Sequence, residues 1–181
     1  MIPTPGQTVG PFFGYALPFP GGDQVVPPSH PRAVRLHGRV TDGAGDPIPD
    51  ALIELWQADE DGQVSQEPGA LRRDGYTFTG FGRTAVDATG AYSFTTLVPG
   101  AEPGPAPFFA ITVFARGLLD RLFTRAYLPG DADALAADPL LASLPGERRS
   151  TLIAGTDEHG FVFDIVLQGE DETVFLQYRT H

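Results

Sequence analysis

AVRLHGRVTDGAGDPIPDALIELWQA, residues 33–58, holds two regular runs separated by a cluster of glycine, proline and aspartate. In AVRLHGRV (33–40), Val34, Leu36 and Val40 fall on one side and Arg35, His37 and Arg39 on the other. That alternation marks a strand with one buried face. DGAGDP (42–47) reads as a turn, and ALIELWQA (51–58) as the strand returning beside the first. The same rhythm recurs in AYSFTTL (91–97), FFAITVFA (108–115), FTRAYL (123–128), GFVFDIVL (160–167) and ETVFLQY (172–178). In GFVFDIVL, Phe161, Phe163, Ile165 and Leu167 are spaced to share a core-facing side. The 18 prolines and 22 glycines punctuate these runs, so the expected fold is all-β, a single β-sandwich. GFGRTA (80–85) lacks the spacing of a phosphate loop and is expected to be a turn between strands.

Two stretches depart from the pattern. Residues 1–32 are rich in proline and glycine with scattered aromatics, and form an irregular N-terminal arm ahead of a sandwich domain spanning 33–181. Residues 131–149, DADALAADPLLASLPGERR, carry the helical signal of the chain, one or two short helices interrupted at Pro139.

A chain of 181 residues buries about 70% of its unfolded surface as one domain. The absence of cysteine excludes disulfide frameworks, zinc knuckles and thiol nucleophiles. The net charge is −11 and all 12 basic residues are arginines. A field of that sign argues against nucleic acid, which needs a basic stripe. No apolar run approaches the roughly 18 residues of a membrane helix, and the N-terminus has no leader pattern. The expectation is a soluble cytoplasmic protein.

Local motifs supply no catalytic machinery. His30, His37, His159 and His181 are too far apart for HxH, HxxxH or HExxH pairs. DEDG (59–62) lacks the remaining ligands of a calcium loop. Arg83 and Arg125 are expected to pair with the excess acids, and Trp56 to pack in the core or an interface.

Several stretches together resemble the intradiol ring-cleavage dioxygenases: LHGRVTDGAGDPIPDALIELWQADEDG (36–62), FTGFGRTAVDATGAYSFTTLVPG (78–100) and TRAYLPGD (124–131). They cover about half the chain in the family's order. GRVTDGAGDPIPDALIEL by itself also resembles transthyretin-like modules, so a non-enzymatic binding or assembly module is the alternative reading. The resemblance implies a ferric site of two tyrosines and two histidines, since phenolate oxygens are hard donors suited to Fe(III). The corresponding positions here are Val64, Glu102, Phe108 and Ala110. No ligand is retained, so no catalytic or metal-binding residue is expected in this chain.

Within the family, GQTVGPFFGYAL (6–17), VFARG (113–117) and GEDETVFLQY (169–178) resemble the iron-free α-type chains that pair with a homologous iron-bearing β chain. That resemblance implies an α–β assembly acting on protocatechuate and O2, with Fe(III) held by the partner and the arm packed on it. By motif, Arg116 is the substrate-binding residue that would hold the carboxylate. Thr8, Gly10 and Pro11 would line the pocket wall, where glycine permits close approach and proline fixes the turn.

Overall fold

The computed structural model describes residues 13–67, 73–101 and 106–178. Nine strands form two sheets: β1 (Val34–Thr41), β2 (Leu52–Trp56), β3 (Phe81–Ala85), β4 (Ala91–Thr96), β5 (Phe108–Phe114), β6 (Leu122–Tyr127), β7 (Gly155–Asp157), β8 (Gly160–Val162) and β9 (Ile165–Val166). One sheet runs β4-β1-β8-β7, with β9 also on β1; the other runs β3-β2-β5-β6. The all-β sandwich read from the alternation is borne out. Between the sheets lie Leu36 and Val40 of β1, Ile53 and Leu55 of β2, Phe94 of β4, Phe109, Ile111 and Val113 of β5, and Ile165 of β9. Each is buried, as period-two placement requires.

Three sequence expectations need correction. The strands at 33–40 and 51–58 are not partners: β1 pairs with β4, β8 and β9, and β2 with β3 and β5. A tight turn does form, with Ile48 N–H donating to Val40 O at 3.0 Å. Pro47 within it and Pro49 beyond it have no N–H to extend the ladder, and the chain crosses to the other sheet. GFGRTA is no turn, because Phe81–Ala85 is β3, in register with β2 from Leu52–Ala85 to Trp56–Phe81. Residues 172–178 make only an isolated bridge, Leu176 to Phe123.

The described part of the arm lies on this chain's own sandwich. It opens with one turn of helix, α1 (Phe13–Ala16). Farther on, Val25 N–H donates to Thr95 O at 2.8 Å, Thr95 N–H to Asp23 O at 2.9 Å, and Arg83 N–H to Gly22 O at 2.7 Å. Residues 22–26 therefore satisfy edge groups of both β4 and β3, which would otherwise be open to pairing with another chain.

The helical segment comprises α2 (Ala132–Ala137), α3 (Pro139–Ala142) and α4 (Gly146–Ser150). Pro139 does more than interrupt: it occupies the first position of α3, where its missing N–H costs nothing. Asp138 caps that helix, its Oδ1 accepting from Leu140 and Leu141 N–H at 2.9 Å. Fully buried, the carboxylate also accepts from Tyr127 Oη–H and Ala106 N–H, each at 3.1 Å. These bonds fasten the insertion to the end of β6, over a second core of Tyr127, Leu141, Leu152 and Ala106.

Candidate functional site

Sheet register builds a row across the outer face of the β3-β2-β5-β6 sheet. Phe81 pairs with Trp56, Trp56 with Ala110, and Ala110 with Arg125. Phe108 lies two residues from Ala110, so both face outward while Phe109 between them is buried. Beyond the end of β2, Asp59 folds the acidic stretch into a turn, accepting from Asp61 and Gln63 N–H at 3.0 and 2.8 Å. Asp59 O also accepts from Gly100 N–H at 2.7 Å, which ties this turn to the loop after β4. A cavity of about 320 Å³ results, lined by Trp56, Val64, Phe108, Ala110, Arg125 and Tyr178 among others.

The structure thus gathers Val64, Phe108 and Ala110 in one place, although Val64 lies far from the other two in sequence. Glu102 lies outside the described residues. The three gathered side chains offer only carbon, and the polar side chain beside them on β6 is a guanidinium. Tyr178, packed edge-on against Phe123 at 5.1 Å, contributes a phenol. The phenol of Tyr127 is pushed up to about 12 by burial, and it donates to Asp138, so it is not disposed to act as a phenolate. Among the described residues, this donor set does not fit a ferric ion: one phenol beside a fixed cation cannot replace two phenolates and two imidazoles.

Arg125 was expected to pair with an acid, yet among the described residues it has no carboxylate within ion-pair range. Its Nη1 donates to Tyr127 Oη at 3.1 Å, its guanidinium carbon sits 4.0 Å from the Phe108 ring centroid, and its buried Nε has no partner. Arg83 does pair as expected, with Glu54 at 2.6 Å. Trp56 is 47% exposed, against Phe81 at 4.5 Å between ring centroids. It lies on the outer face, not in the core.

Arg116 is elsewhere. It follows the C-terminal end of β5, whereas Phe108 begins that strand, and its Nε lies 2.8 Å from Asp50 Oδ2. Gly14 of α1 packs against the same Asp50, where an added Cβ would lie 3.8 Å from the carbonyl oxygen. The described start of the arm and Arg116 therefore meet at one end of the sandwich. Thr8, Gly10 and Pro11 lie outside the described residues, a few positions upstream of α1.

Comparison with known proteins agrees with this geometry. A family profile described as Dioxygenase matches residues 27–169. The protocatechuate 3,4-dioxygenase alpha chain of Burkholderia cepacia is 38% identical over 190 residues, covering 95% of each chain. The beta chain of the same name and organism is 37% identical over 155 residues, covering 75% of this chain and 64% of that one. Among solved structures, the dioxygenase domain of a dioxygenase carbohydrate-binding protein fusion from Streptomyces sp. SirexAA-E superposes with a TM-score of 0.59 at 26% identity. That match covers 96% of this chain and all of that one. With a profile spanning most of the chain and a relative matched nearly end to end, this protein belongs to the intradiol ring-cleaving dioxygenase family.

Proposed function

We propose that this chain is the iron-free subunit of a protocatechuate 3,4-dioxygenase, working with a homologous iron-bearing chain. The observation that carries the reading is the cavity at positions 64, 108 and 110. Phe108 and Ala110 face outward as an i, i+2 pair beside Val64, and these are the positions that the resemblance matches to the family's donors. The near-complete coverage shared with an alpha chain, against the partial match to a beta chain, supports the same subunit type.

The complex would cleave protocatechuate by intradiol addition of O2 to give 3-carboxy-cis,cis-muconate, with the Fe(III) chemistry supplied by the partner. This chain would contribute the substrate's surroundings. Protocatechuate carries a carboxylate remote from its diol, and Arg116 is a largely exposed guanidinium beside the start of the arm. Its remaining N–H donors suit such a carboxylate. Thr8, Gly10 and Pro11 would form the adjoining wall, with the arm they belong to packed on the partner. Trp56, Val64 and Tyr178 are exposed on the outer sheet face and suit burial by a second chain.

Metal analysis tests the reading. The full chain purified alone should contain no stoichiometric iron. Co-expression with an iron-binding sister chain should yield a complex with the burgundy tyrosinate-to-iron colour and ring-cleaving activity. Stoichiometric iron and diol turnover by this chain on its own would overturn the assignment.

A further inference from the structure

The cavity at Val64, Phe108 and Ala110 holds a cation with unused hydrogen-bonding capacity. Arg125 holds one donor on Tyr127, which in turn donates to the buried Asp138, so the guanidinium is fixed by a chain of hydrogen bonds reaching the α3 cap. Its face is stacked on Phe108, and Nε, buried beside the cavity, is unpartnered among the described residues. Another cavity, of about 400 Å³, is lined by Arg73 and His30. There the arginine is already spent on its own chain, donating to Thr79 Oγ1 at 3.0 Å and to the Phe81 carbonyl. Arg125 differs in having no such internal carbonyl partner among the described residues. Around it the lining is largely apolar or aromatic, with Trp56, Val64, Ala110 and the ring of Tyr178, and its other polar members, Gln57, Ser65 and Thr79, are uncharged. Its volume of about 320 Å³ falls at the small end of ligand sites, which span roughly 300–1,000 Å³. A planar guanidinium at the wall of an apolar pocket is the arrangement that recognises a carboxylate on a flat, uncharged body.

We propose that this cavity binds a small aromatic carboxylate, with the carboxylate on Arg125 and the ring against Trp56 and Val64. The inference concerns this chain's own side chains, and its test does not depend on the iron-free subunit reading.

Trp56 is the chain's sole tryptophan and lines the cavity, so its fluorescence reports on occupancy. The probe is benzoate, titrated into the full chain purified alone, with benzamide as the neutral analogue of the same shape. Saturable quenching by benzoate is expected, with a Kd of about 1 mM or tighter. Benzamide, and benzoate with Arg125→Met, should each bind at least about tenfold more weakly. Lack of saturation by benzoate, equal affinity for benzoate and benzamide, or full affinity in Arg125→Met would each overturn the proposal. The benzoate–benzamide comparison uses the unaltered chain, so a folding defect in the variant could not mask the answer.

Discussion

Arg116 Nε lies 2.8 Å from Asp50 Oδ2, an ion pair in which the arginine side chain stays 71% exposed. The acid thus pairs with a guanidinium that remains largely exposed. Because the pair is at the surface, Arg116→Ala should change the stability of the chain by less than about 1 kcal/mol. In the complex, loss of a charge-assisted contact should lower kcat/KM for protocatechuate about 10- to 150-fold. Catechol, which lacks the carboxylate, should lose much less, and steady-state kinetics with both substrates measures the difference. Equal losses would remove Arg116 from substrate recognition.

Asp138 joins three parts of the molecule at one carboxylate: the α3 cap, the end of β6 through Tyr127, and Ala106 at the approach to β5. Asp138→Ala removes the cap and strands a buried hydroxyl and a buried amide. The expected loss is about 2–4 kcal/mol, read from urea unfolding followed by Trp56 fluorescence. Asp138→Asn keeps an acceptor for the cap and should lose less. A cost below about 0.5 kcal/mol for the alanine variant would show that the insertion is held chiefly by its apolar contacts.

Two buried phenols set the alkaline limit. Burial raises Tyr127 from 10.0 to about 12, an effect that its Arg125 contacts oppose. Burial, with the charge of Asp164 beside it, raises Tyr92 farther, and that hydroxyl donates to Phe163 O at 2.6 Å. A raised folded-state value means that the unfolded chain releases these protons first. Their contribution to stability is therefore complete below about pH 10 and is lost as pH rises through about 12 and beyond. Tyrosinate absorbance should show Tyr92 and Tyr127 ionising above the ordinary phenol range while the chain is folded. Urea midpoints should fall from pH 10 upward, and fall less steeply in Tyr127→Phe.

Alternation alone recovers β1, β4 and β5, because each puts one face into the inter-sheet core and the other outside. Pairing was not legible. The turn after β1 resembles a hairpin, and only the register shows that the chain then changes sheets. β3 was hidden by its glycines: Gly82 faces inward, where a Cβ would lie 3.0 Å from Phe94 and Val25 side-chain atoms. A residue chosen for packing was thus read as punctuation. At the site, positions 64, 108 and 110 come from the family resemblance, and the fold places all three around one cavity. Arg125 was missed as a lining residue because its importance rests on cross-strand neighbours, Ala110 in register and Phe108 on the diagonal. Charge counting suggested only an ion pair.

Gly22 is the point at which the arm closes both sheet edges. Its carbonyl accepts from Arg83 N–H on β3, while an added Cβ would meet Arg83 O at 2.5 Å and Phe19 O at 3.1 Å. These obstacles are backbone atoms, so a side chain here must displace the strap. Gly22→Val should destabilise the chain by about 1–3 kcal/mol. Loss of the strap would also free the Thr95 and Arg83 amides, so native-state hydrogen exchange at both should accelerate together, ahead of amides in β2 and β5. The uncovered β3 and β4 edges should then promote concentration-dependent association, visible by light scattering. If exchange at Arg83 rises while Thr95 stays protected, the strap is two independent contacts. A joint rise shows that residues 22–26 hold the two sheet edges as one unit.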